Sequence, residues 1–551
     1  MSIDTEINPP ARPFTTLRPD FGRANATESR ASGEFWNRPR RIGVLAVLAT
    51  GFVLLGGGRL DLGLTESRLG LAAQGSPGPL GQVFGGWDPS IWIGRLLPSL
   101  IWSWGEGFMP SSASVRWPEA IAGIALGLVL ARRAVLTING RAALLIGVCW
   151  FGSLGLIDRS SVTGLDFITG LWTVAALDRI LGRGSDLVAG TFAGLAFLCG
   201  GWPAVVLILL ATVVIGRPGA GLTWGLLLPP ALVATGWSAW ALSVAPAEAW
   251  ATALTLPLTR KPAWLLAPAI LLLGLPWSPF AALVLSRDVR ASWTPKTRIL
   301  ITGWLQIAGA SLLVGTLIPG LASAAGIPVL AGLAIVAGAA SDRMLFGIES
   351  RGAKRWFLGA SVLLALIWSF TIIFAGGYLV AAVSYYRFLA VILILLSVPA
   401  AGLAVFSASR RDLRGAWLSI FVLSVSLKMA HFGYYAPEWN YRMSQGPWGR
   451  AIGQWVPPRW PIYTTTSWRA DLAFATGHPV MQLLSPQHLE YQPGEARYVL
   501  LHAAEFDHWP EKAPKLSKVA EFRDEFDAAR VLARTDGPLP WTRPILARDQ
   551  D

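Results

Sequence analysis

The chain has 551 residues, of which 53% are hydrophobic and 14% are charged, and its mean hydropathy is +0.49. Soluble domains carry about 25% charged residues, so this composition excludes an ordinary soluble globular protein and predicts a membrane protein. The formal net charge of +13 is typical of basic cytoplasmic loops that face anionic lipid, and it does not indicate a nucleic-acid partner.

A polar segment, a long apolar region and a second polar region follow one another along the chain. Residues 1–40 are rich in Arg, Pro and Ser, which favours a disordered cytoplasmic tail over a cleavable signal peptide. Apolar runs in residues 41–431 suit a hydrocarbon core about 30 Å thick and predict an all-α polytopic membrane bundle of about 13 transmembrane helices. The run through Gly200 to Pro203 fits either a tight hairpin or one broken helix. The predicted number of spans differs by one between these two alternatives.

Basic residues fall in every second turn between the apolar runs. They occur at 38–41, 132–133, 179–183, 217, 287–298, 343–355 and 410–414. Because Lys and Arg are retained on the cytoplasmic side of a membrane, this alternation predicts a cytoplasmic N-terminus. An odd number of spans then places the chain after about residue 432 on the other side.

The first outer loop, residues 58–117, is the longest, and it contains the Trp-rich segment PSIWIGRLLPSLIWSW. Trp side chains favour the headgroup layer of a membrane. The segment therefore predicts an amphipathic helix at about 90–104 that lies along the outer interface.

Residues 432–551 are polar, with Pro-rich turns and short apolar runs. The runs PIYTTT, VMQLL, RYVLLHAAEF and AARVLART have the pattern of strands, whereas WGRAIGQWV and SWRADLAFATG have the pattern of helices. We therefore predict a small extracytoplasmic α/β domain of about 110 residues, which is large enough for its own core.

Carboxylates on the predicted outer side are the candidates for catalysis. Glu66, in LGLTESRLGLAAQ, follows the first span, and Asp166, in SSVTGLDFITG, begins a later span from outside. A carboxylate at a membrane boundary can act as a general base on an acceptor hydroxyl or hold a divalent metal ion against a lipid phosphate. Both acids also fit a plain role at a helix start, where they are solvated or favour the helix dipole.

Four cations are candidates for binding a phosphate on the same side. Arg116, in SVRWPEAIAG, suits a bidentate contact, Arg260 and Lys261 suit a diphosphate, and Arg387 is a third basic point after two tyrosines. Snorkelling to lipid headgroups explains Arg116 equally well, and anionic lipid explains the adjacent pair.

Several classes of enzyme have no motif support, because no Walker loop, HExxH, GxSxG or dinucleotide fingerprint stands in a credible context. Cys149 and Cys199 lie in apolar runs, and the histidines lack ligand spacing, so neither a disulfide framework nor a Cys/His metal site is expected. The only cofactor left open is a divalent metal ion at the outer carboxylates.

In their order, several segments resemble the GT-C membrane glycosyltransferases, especially the bacterial branch of protein mannosyltransferases and lipid A aminoarabinose transferases. The resemblance covers about residues 41–500. It runs from LTESRLGLAAQ and the Trp-rich helix through VRWPEAIAGIALGLVLARR, GLDFITGLWTVAALDRIL, GTFAGLAFLCGGWPAVVL and LLGLPWSPFAALVL to the α/β tail. No single motif is specific to the family. The resemblance depends on the order in which the motifs follow one another.

The resemblance implies a transferase of the bacterial inner membrane. Such enzymes take a hexosyl or pentosyl group from a polyprenyl-phosphate donor and pass it to an extracytoplasmic lipid, glycan or protein acceptor, with inversion at the anomeric carbon. Glu66 would stand at the acidic position of the first loop, Arg116 at the family's arginine and Asp166 at the outer-end carboxylate.

The chain departs from the family pattern at its lysines. The Lys-Pro-Pro before the interfacial helix is replaced by residues 88–90, and the Lys of the Thr-Lys-Gly turn is Gly200 or Gly201 here. The first-loop Asp-Glu pair is represented by Thr65 and Glu66. Either Arg260, Lys261 or Arg387 replaces the lysines as the phosphate contact, or the chain is catalytically inactive.

A transporter or flippase of a lipid or solute is the rival hypothesis from a different class. A transporter is expected to show related halves and charged residues at mid-span. The sequence shows no convincing internal repeat and almost no mid-span charge, and a sizeable outer domain suits acceptor handling better. An inactive protein that keeps the fold is the third hypothesis.

Overall fold

A helical region and a C-terminal domain make up the structure, a computed structural model that describes residues 112–154, 167–215, 223–244, 266–318, 321–347, 350–438, 444–457, 460–465, 470–483, 486, 489, 496–523 and 529–535. The predicted tail at 1–40 and the predicted interfacial helix at 90–104 lie outside these residues. Both stay predictions, as does the division into three regions at about 40 and 432.

The described residues between 112 and 438 are almost entirely helical. The helices are α1 (Ser112–Thr137), α2 (Gly140–Phe151), α3 (Phe167–Leu181), α4 (Asp186–Ile215), α5 (Trp224–Val244), α6 (Leu266–Leu273), α7 (Ser278–Ala281), α8 (Arg287–Ala291), α9 (Pro295–Leu317), α10 (Ala322–Phe346), α11 (Arg351–Ala382), α12 (Arg387–Arg410) and α13 (Leu413–Ala430). Two short 3-10 turns (Ala282–Leu285 and Ser384–Tyr386) and one π-helical turn (His431–Tyr435) accompany them.

Within the described ranges, seven helices are long and apolar enough to cross a membrane, namely α1, α4 and α9 to α13. Helix α6 and the segment Ser278–Leu285 form a pair bent by 102°, which would make an eighth span if the pair crosses as one. The chain is therefore a multi-pass membrane protein with at least seven candidate spans. The predicted total of about 13 stays a prediction.

Helix α4 is broken at Gly201, where φ is +66° and ψ is −161°, a conformation open to glycine. A straight helix would place Asp186 and Ile215 about 44 Å apart. The linker from Ile215 to Thr223 reaches at most about 30 Å. Because the Thr223 hydroxyl nevertheless donates to the Asp186 carboxylate at 2.9 Å, the two halves of α4 cannot be collinear. This geometry excludes a straight helix and leaves both alternatives as predictions.

Basic side chains gather at one end of the helical region. Arg133, near the end of α1, pairs with Asp178, near the end of α3, at 3.2 Å. Arg141 at the start of α2 and Arg414 at the start of α13 both lie over the Phe346 ring, at 4.5 and 5.5 Å. We call this the basic end. The opposite end, with the first turns of α1 and α3 and the last turns of α13, is called the site end.

Helix α10 is the central helix of the bundle. Of its most apolar 18 residues, 89% are buried, against 33% to 50% in the other six candidate spans. Glycines at its contacts explain the close approach: a Cβ added at Gly338 would lie 2.5 Å from Ile146, and one added at Gly170 would lie 2.5 Å from Ile327. Small residues let membrane helices pack closely, so the helices around α10 form one packed bundle.

The C-terminal domain is a mixed five-stranded sheet with three helices. Its elements are α14 (Gly446–Gln454), β1 (Ile462–Thr464), α15 (Ala470–Ala475), β2 (Val480–Gln482), β3 (Tyr498–His502), α16 (Ala503–Asp507), β4 (Leu516–Arg523) and β5 (Ala529–Thr535). The strand order is β2-β1-β3-β5-β4. Strand β1 is parallel to β2 and β3, and β5 is antiparallel to β3 and β4.

Four of these strands, and helices α14 and α15, lie in the segments whose patterns predicted them. Two details were wrong. The predicted strand RYVLLHAAEF ends at His502, after which the chain forms α16. Strand β4 was missed because its register shifts between Lys518 and Ala520, and such an irregularity interrupts the alternation of apolar and polar residues.

The sheet has helices on both faces. On one face, Ile462 and Leu500 pack in a cluster with Leu472 of α15. On the other face, Leu501 packs in a cluster with Phe506 of α16. Along the chain, α15 follows β1 and α16 follows β3. The two strands are neighbours in the sheet, and the two helices cover opposite faces of it.

Candidate functional site

Arg116 lies near the start of α1, at the site end, and its side chain is 4% exposed. A guanidinium keeps its charge at any physiological pH, so burial requires hydrogen-bond partners or a counter-charge around it. A residue that snorkels keeps its charged head at the water-exposed surface. The burial of Arg116 argues against snorkelling, and its role in phosphate binding stays a prediction.

Glu119, one turn after Arg116 on α1, holds the beginning of α3. Its Oε2 accepts hydrogen bonds from the backbone N–H groups of Phe167 at 2.6 Å and Ile168 at 3.3 Å. The first N–H groups of a helix have no partner within that helix, and a carboxylate satisfies both their hydrogen bonds and the helix dipole. Phe167 is the residue directly after Asp166. Glu119 therefore fixes the chain beside a predicted catalytic acid.

Sequence reasoning missed Glu119, although one signal was present. It is an acid three residues after Arg116 within an apolar span, and acids in such spans need a partner. Its partner is a backbone 48 residues away, which no local pattern indicates.

The turn after Cys199 has no room for the lysine that the family pattern places there. A Cβ added at Gly200 would lie 2.3 Å from the methyl group of Thr169 on α3. Gly201 has a positive φ, which other residues rarely adopt. The departure from the family pattern therefore has a physical reason: α3 packs directly against this turn.

Lys428 and His431 are further buried polar residues at the site end, 9% and 7% exposed. The Ser424 hydroxyl donates to the carbonyl of Gly152, at the end of α2, at 3.0 Å. Lys428 is one helical turn further along the same face of α13, beyond that contact. Sequence reasoning missed this lysine, although a cation inside an apolar span is a functional candidate.

Arg387 lies at the start of α12 and is exposed, with its Nε donating to the carbonyl of Val380 at 2.8 Å. It does not share the burial of Arg116. The hydroxyl of the preceding residue, Tyr386, donates to Glu438 at 3.4 Å. Burial and then the Glu438 carboxylate raise the pKa of Tyr386, which keeps the hydroxyl protonated as a donor.

The remaining predicted site residues, Glu66, Asp166, Arg260 and Lys261, lie outside the described residues. Among the residues that are described, no three His, Cys, Asp or Glu side chains come together as a metal site. Because both predicted acids fall outside that set, a metal ion between them stays a prediction.

The fold is similar to that of solved membrane enzymes. ArnT from Cupriavidus metallidurans, bound to undecaprenyl phosphate, matches with a TM-score of 0.67 and 16% identity over 89% of this chain and 97% of its own. The apo state of ArnT matches with a TM-score of 0.65 and 17% identity over the same shares. No protein-family model and no curated protein sequence matches the chain. The chain therefore has the fold of ArnT, which is a member of the GT-C superfamily that the sequence resembles.

Proposed function

We propose that this protein is an integral membrane glycosyltransferase that moves a sugar from a polyprenyl-phosphate donor to an extracytoplasmic lipid, glycan or protein acceptor. The observation that carries the proposal is the likeness to ArnT, which extends over 97% of that chain and includes a structure bound to undecaprenyl phosphate. The buried arginine at the site end supports it, because a departing lipid phosphate needs a fixed cation.

In the proposed reaction, Glu66 or Asp166 takes the proton from an acceptor hydroxyl while the oxygen attacks the anomeric carbon of the donor. The bond between that carbon and the donor phosphate breaks, and negative charge grows on the departing phosphate. Arg116 and Lys428 are the buried cations of the site end that suit this charge. Glu119 is a positioning residue, since it holds the first turn of α3 beside Asp166.

The other predicted phosphate contacts rank below these two. Arg260 and Lys261 remain proposals from the sequence alone. Arg387 is the weakest of the cations, because its side chain is exposed and donates to a backbone carbonyl. Membrane lipids compete for such exposed cations.

We further propose that the protein lies in a bacterial inner membrane, with residues 1–40 and the basic end in the cytoplasm and residues 432–551 outside. The gathering of Arg133, Arg141 and Arg414 at one end supports this orientation, since Lys and Arg are retained on the cytoplasmic side.

Cysteine accessibility tests the orientation. Both native cysteines are buried, so a single introduced thiol gives the signal. In intact cells, a membrane-impermeant maleimide should label Lys512→Cys, in the exposed part of the C-terminal domain, and should label Arg410→Cys, at the basic end, only after permeabilisation. The reverse pattern would contradict the topology and every site assignment that depends on it.

Arg116→Ala should raise the KM for the polyprenyl-phosphate donor by about tenfold or more, because a charge-assisted phosphate contact is lost in the ground state as well as in the transition state. Arg414→Ala removes the same charge at the basic end and should leave the KM unchanged. The measurement is sugar transfer to membrane acceptors over a range of donor concentrations. An equal effect of the two variants would point to a general charge effect and against donor binding at Arg116.

A further inference from the structure

Helix α9 carries a polar amide on its exposed side, at the middle of a candidate span. Gln306 is exposed and lies midway between the first residue of the helix, Pro295, and the last, Leu317. Within the seven candidate spans of the described ranges, no other amide or charged side chain is both central and exposed. Lys428, for comparison, is buried. Gln306 is therefore unusual among the surface residues of this bundle.

The Gln306 amide is costly to leave in hydrocarbon. It has two N–H donors and a carbonyl acceptor, and the described structure gives it no hydrogen-bond partner. Gln306 is about 16 Å from either end of the helix, which is too far for its side chain to reach the headgroups. No water satisfies polar groups at that depth, so polar side chains of membrane helices form hydrogen bonds with other helices. A further helix is thus expected against this side of α9.

The exposed side of α9 has room for such a helix. A Cβ added at Gly309 meets no described atom within 4 Å, whereas on the packed side one added at Gly332 of α10 would lie 2.9 Å from Ala308. Exposed residues follow one another at alternating spacings of three and four, namely Ile299, Thr302, Gln306, Gly309 and Leu313. We call these five residues the amide seam. This spacing is that of a left-handed helix pair, and the small residues in it allow close approach.

A second copy of the chain has the complement that Gln306 requires. Copies inserted in the same orientation place Gln306 at the same depth, and a twofold axis along the membrane normal brings the two amides together. Because an amide is both donor and acceptor, each side chain can donate to the oxygen of the other. A single amide at such a position also fixes the register of paired helices in coiled coils.

The predicted first span of the same chain is a weaker occupant. Residues 42–57 contain one polar side chain, Thr50. A threonine in a helix commonly bonds to a carbonyl of its own preceding turn, which would leave the Gln306 amide unsatisfied.

We propose that the protein forms a twofold homodimer in the membrane through the amide seam, with the two Gln306 side chains hydrogen-bonded across the axis. The inference does not depend on the proposed transferase activity, because it concerns only the exposed side of α9. It is tested by association and not by sugar transfer.

The dimer equilibrium of the labelled full chain in liposomes, measured by single-molecule photobleaching at several protein densities, tests the amide. Gln306→Leu should raise the dissociation constant by about tenfold, the scale of hydrogen bonds between membrane helices. Gln306→Asn keeps an amide and should stay nearer the unmodified protein. Thr371→Val removes a polar group from the exposed side of α11, where Thr371 bonds to its own helix, and should change nothing.

Two open glycines separate association from folding. Gly309 lies in the amide seam and Gly402 lies on α12, and an added Cβ meets no described atom within 4 Å at either position. The folded chain should therefore tolerate isoleucine at both. Gly309→Ile should weaken the dimer, because it holds the two helices apart, whereas Gly402→Ile should not.

Disulfide cross-linking in native membranes identifies the occupant. Both native cysteines are buried, so an introduced thiol gives the signal. On oxidation, Thr302→Cys should give a covalent dimer, and Thr371→Cys on α11 should not. In the double variant with Thr50→Cys, a bond within one chain in place of the dimer would assign the seam to the first span and overturn the proposal. A protein that is monomeric at every density, or equal effects of Gln306→Leu and Thr371→Val, would overturn it as well.

Discussion

Glu66→Gln should lower the turnover number for sugar transfer by about a hundredfold or more, the scale on which a positioned general base contributes to rate. Glutamine keeps the size of the side chain and its hydrogen-bonding oxygen but cannot take a proton. If Glu66 is the base, the KM for the donor should change little, because the proton moves only in the transition state. The assay follows transfer from polyprenyl-phosphate-linked sugars to membrane acceptors in a deletion background.

The matched control is Glu106→Gln, which removes another acid from the predicted outer loop at 58–117. It should leave turnover near that of the unmodified protein. Full activity of Glu66→Gln would remove Glu66 from the catalytic role and leave Asp166 as the candidate. No transfer by the unmodified protein across a broad panel of donors would instead favour the inactive hypothesis.

Glu119→Leu should destabilise the helical region by about 2 kcal/mol or more, because it leaves the buried N–H groups of Phe167 and Ile168 without their acceptor. It should also lower turnover, since the first turn of α3 would no longer be held beside Asp166. The measurements are thermal unfolding of the solubilised protein and sugar transfer well below the unfolding temperature.

Glu119→Gln is the conservative variant, because both hydrogen bonds fall on one oxygen and the amide oxygen can still accept them, although the negative charge is lost. It should fall between the unmodified protein and Glu119→Leu in both measurements. If Glu119→Leu unfolds at the temperature of the unmodified protein, the carboxylate does not contribute to the α3 cap as described. Normal turnover in that variant would show that the start of α3 does not position the reacting groups.

Several elements of the fold could be predicted because their signals are local. The apolar runs of α9 to α13 are long and nearly free of charge, which indicates spanning helices without knowledge of their neighbours. Strands β3 and β5 lie in compact runs of apolar residues between polar turns. The break at Gly201 left two alternatives, since two glycines shortly before a proline permit a kink and a reversal equally.

The candidate site was predicted less completely, for a different physical reason. Arg116 could be named because it is a cation at the outer mouth of a predicted span, where a lipid phosphate would lie. Glu119 and Lys428 gain their meaning from what they face, namely the start of α3 and the end of α2. Gly200 is a further example. Comparison with the family pattern shows that a lysine is missing at this turn, and only the packing of Thr169 against Gly200 shows why a side chain does not fit there.

The sequence by itself determined the membrane class, the alternation of basic turns, the positions of most strands and the resemblance that pointed to a GT-C fold. These properties depend on composition and on short-range periodicity, which the order of residues contains directly. The tertiary structure alone decided that α4 is not straight, that Glu119 caps a helix 48 residues away and that Thr465 donates to Glu505 across 40 positions of the chain. Those contacts join residues far apart in the chain, and they exist only because helices and strands pack in one particular arrangement.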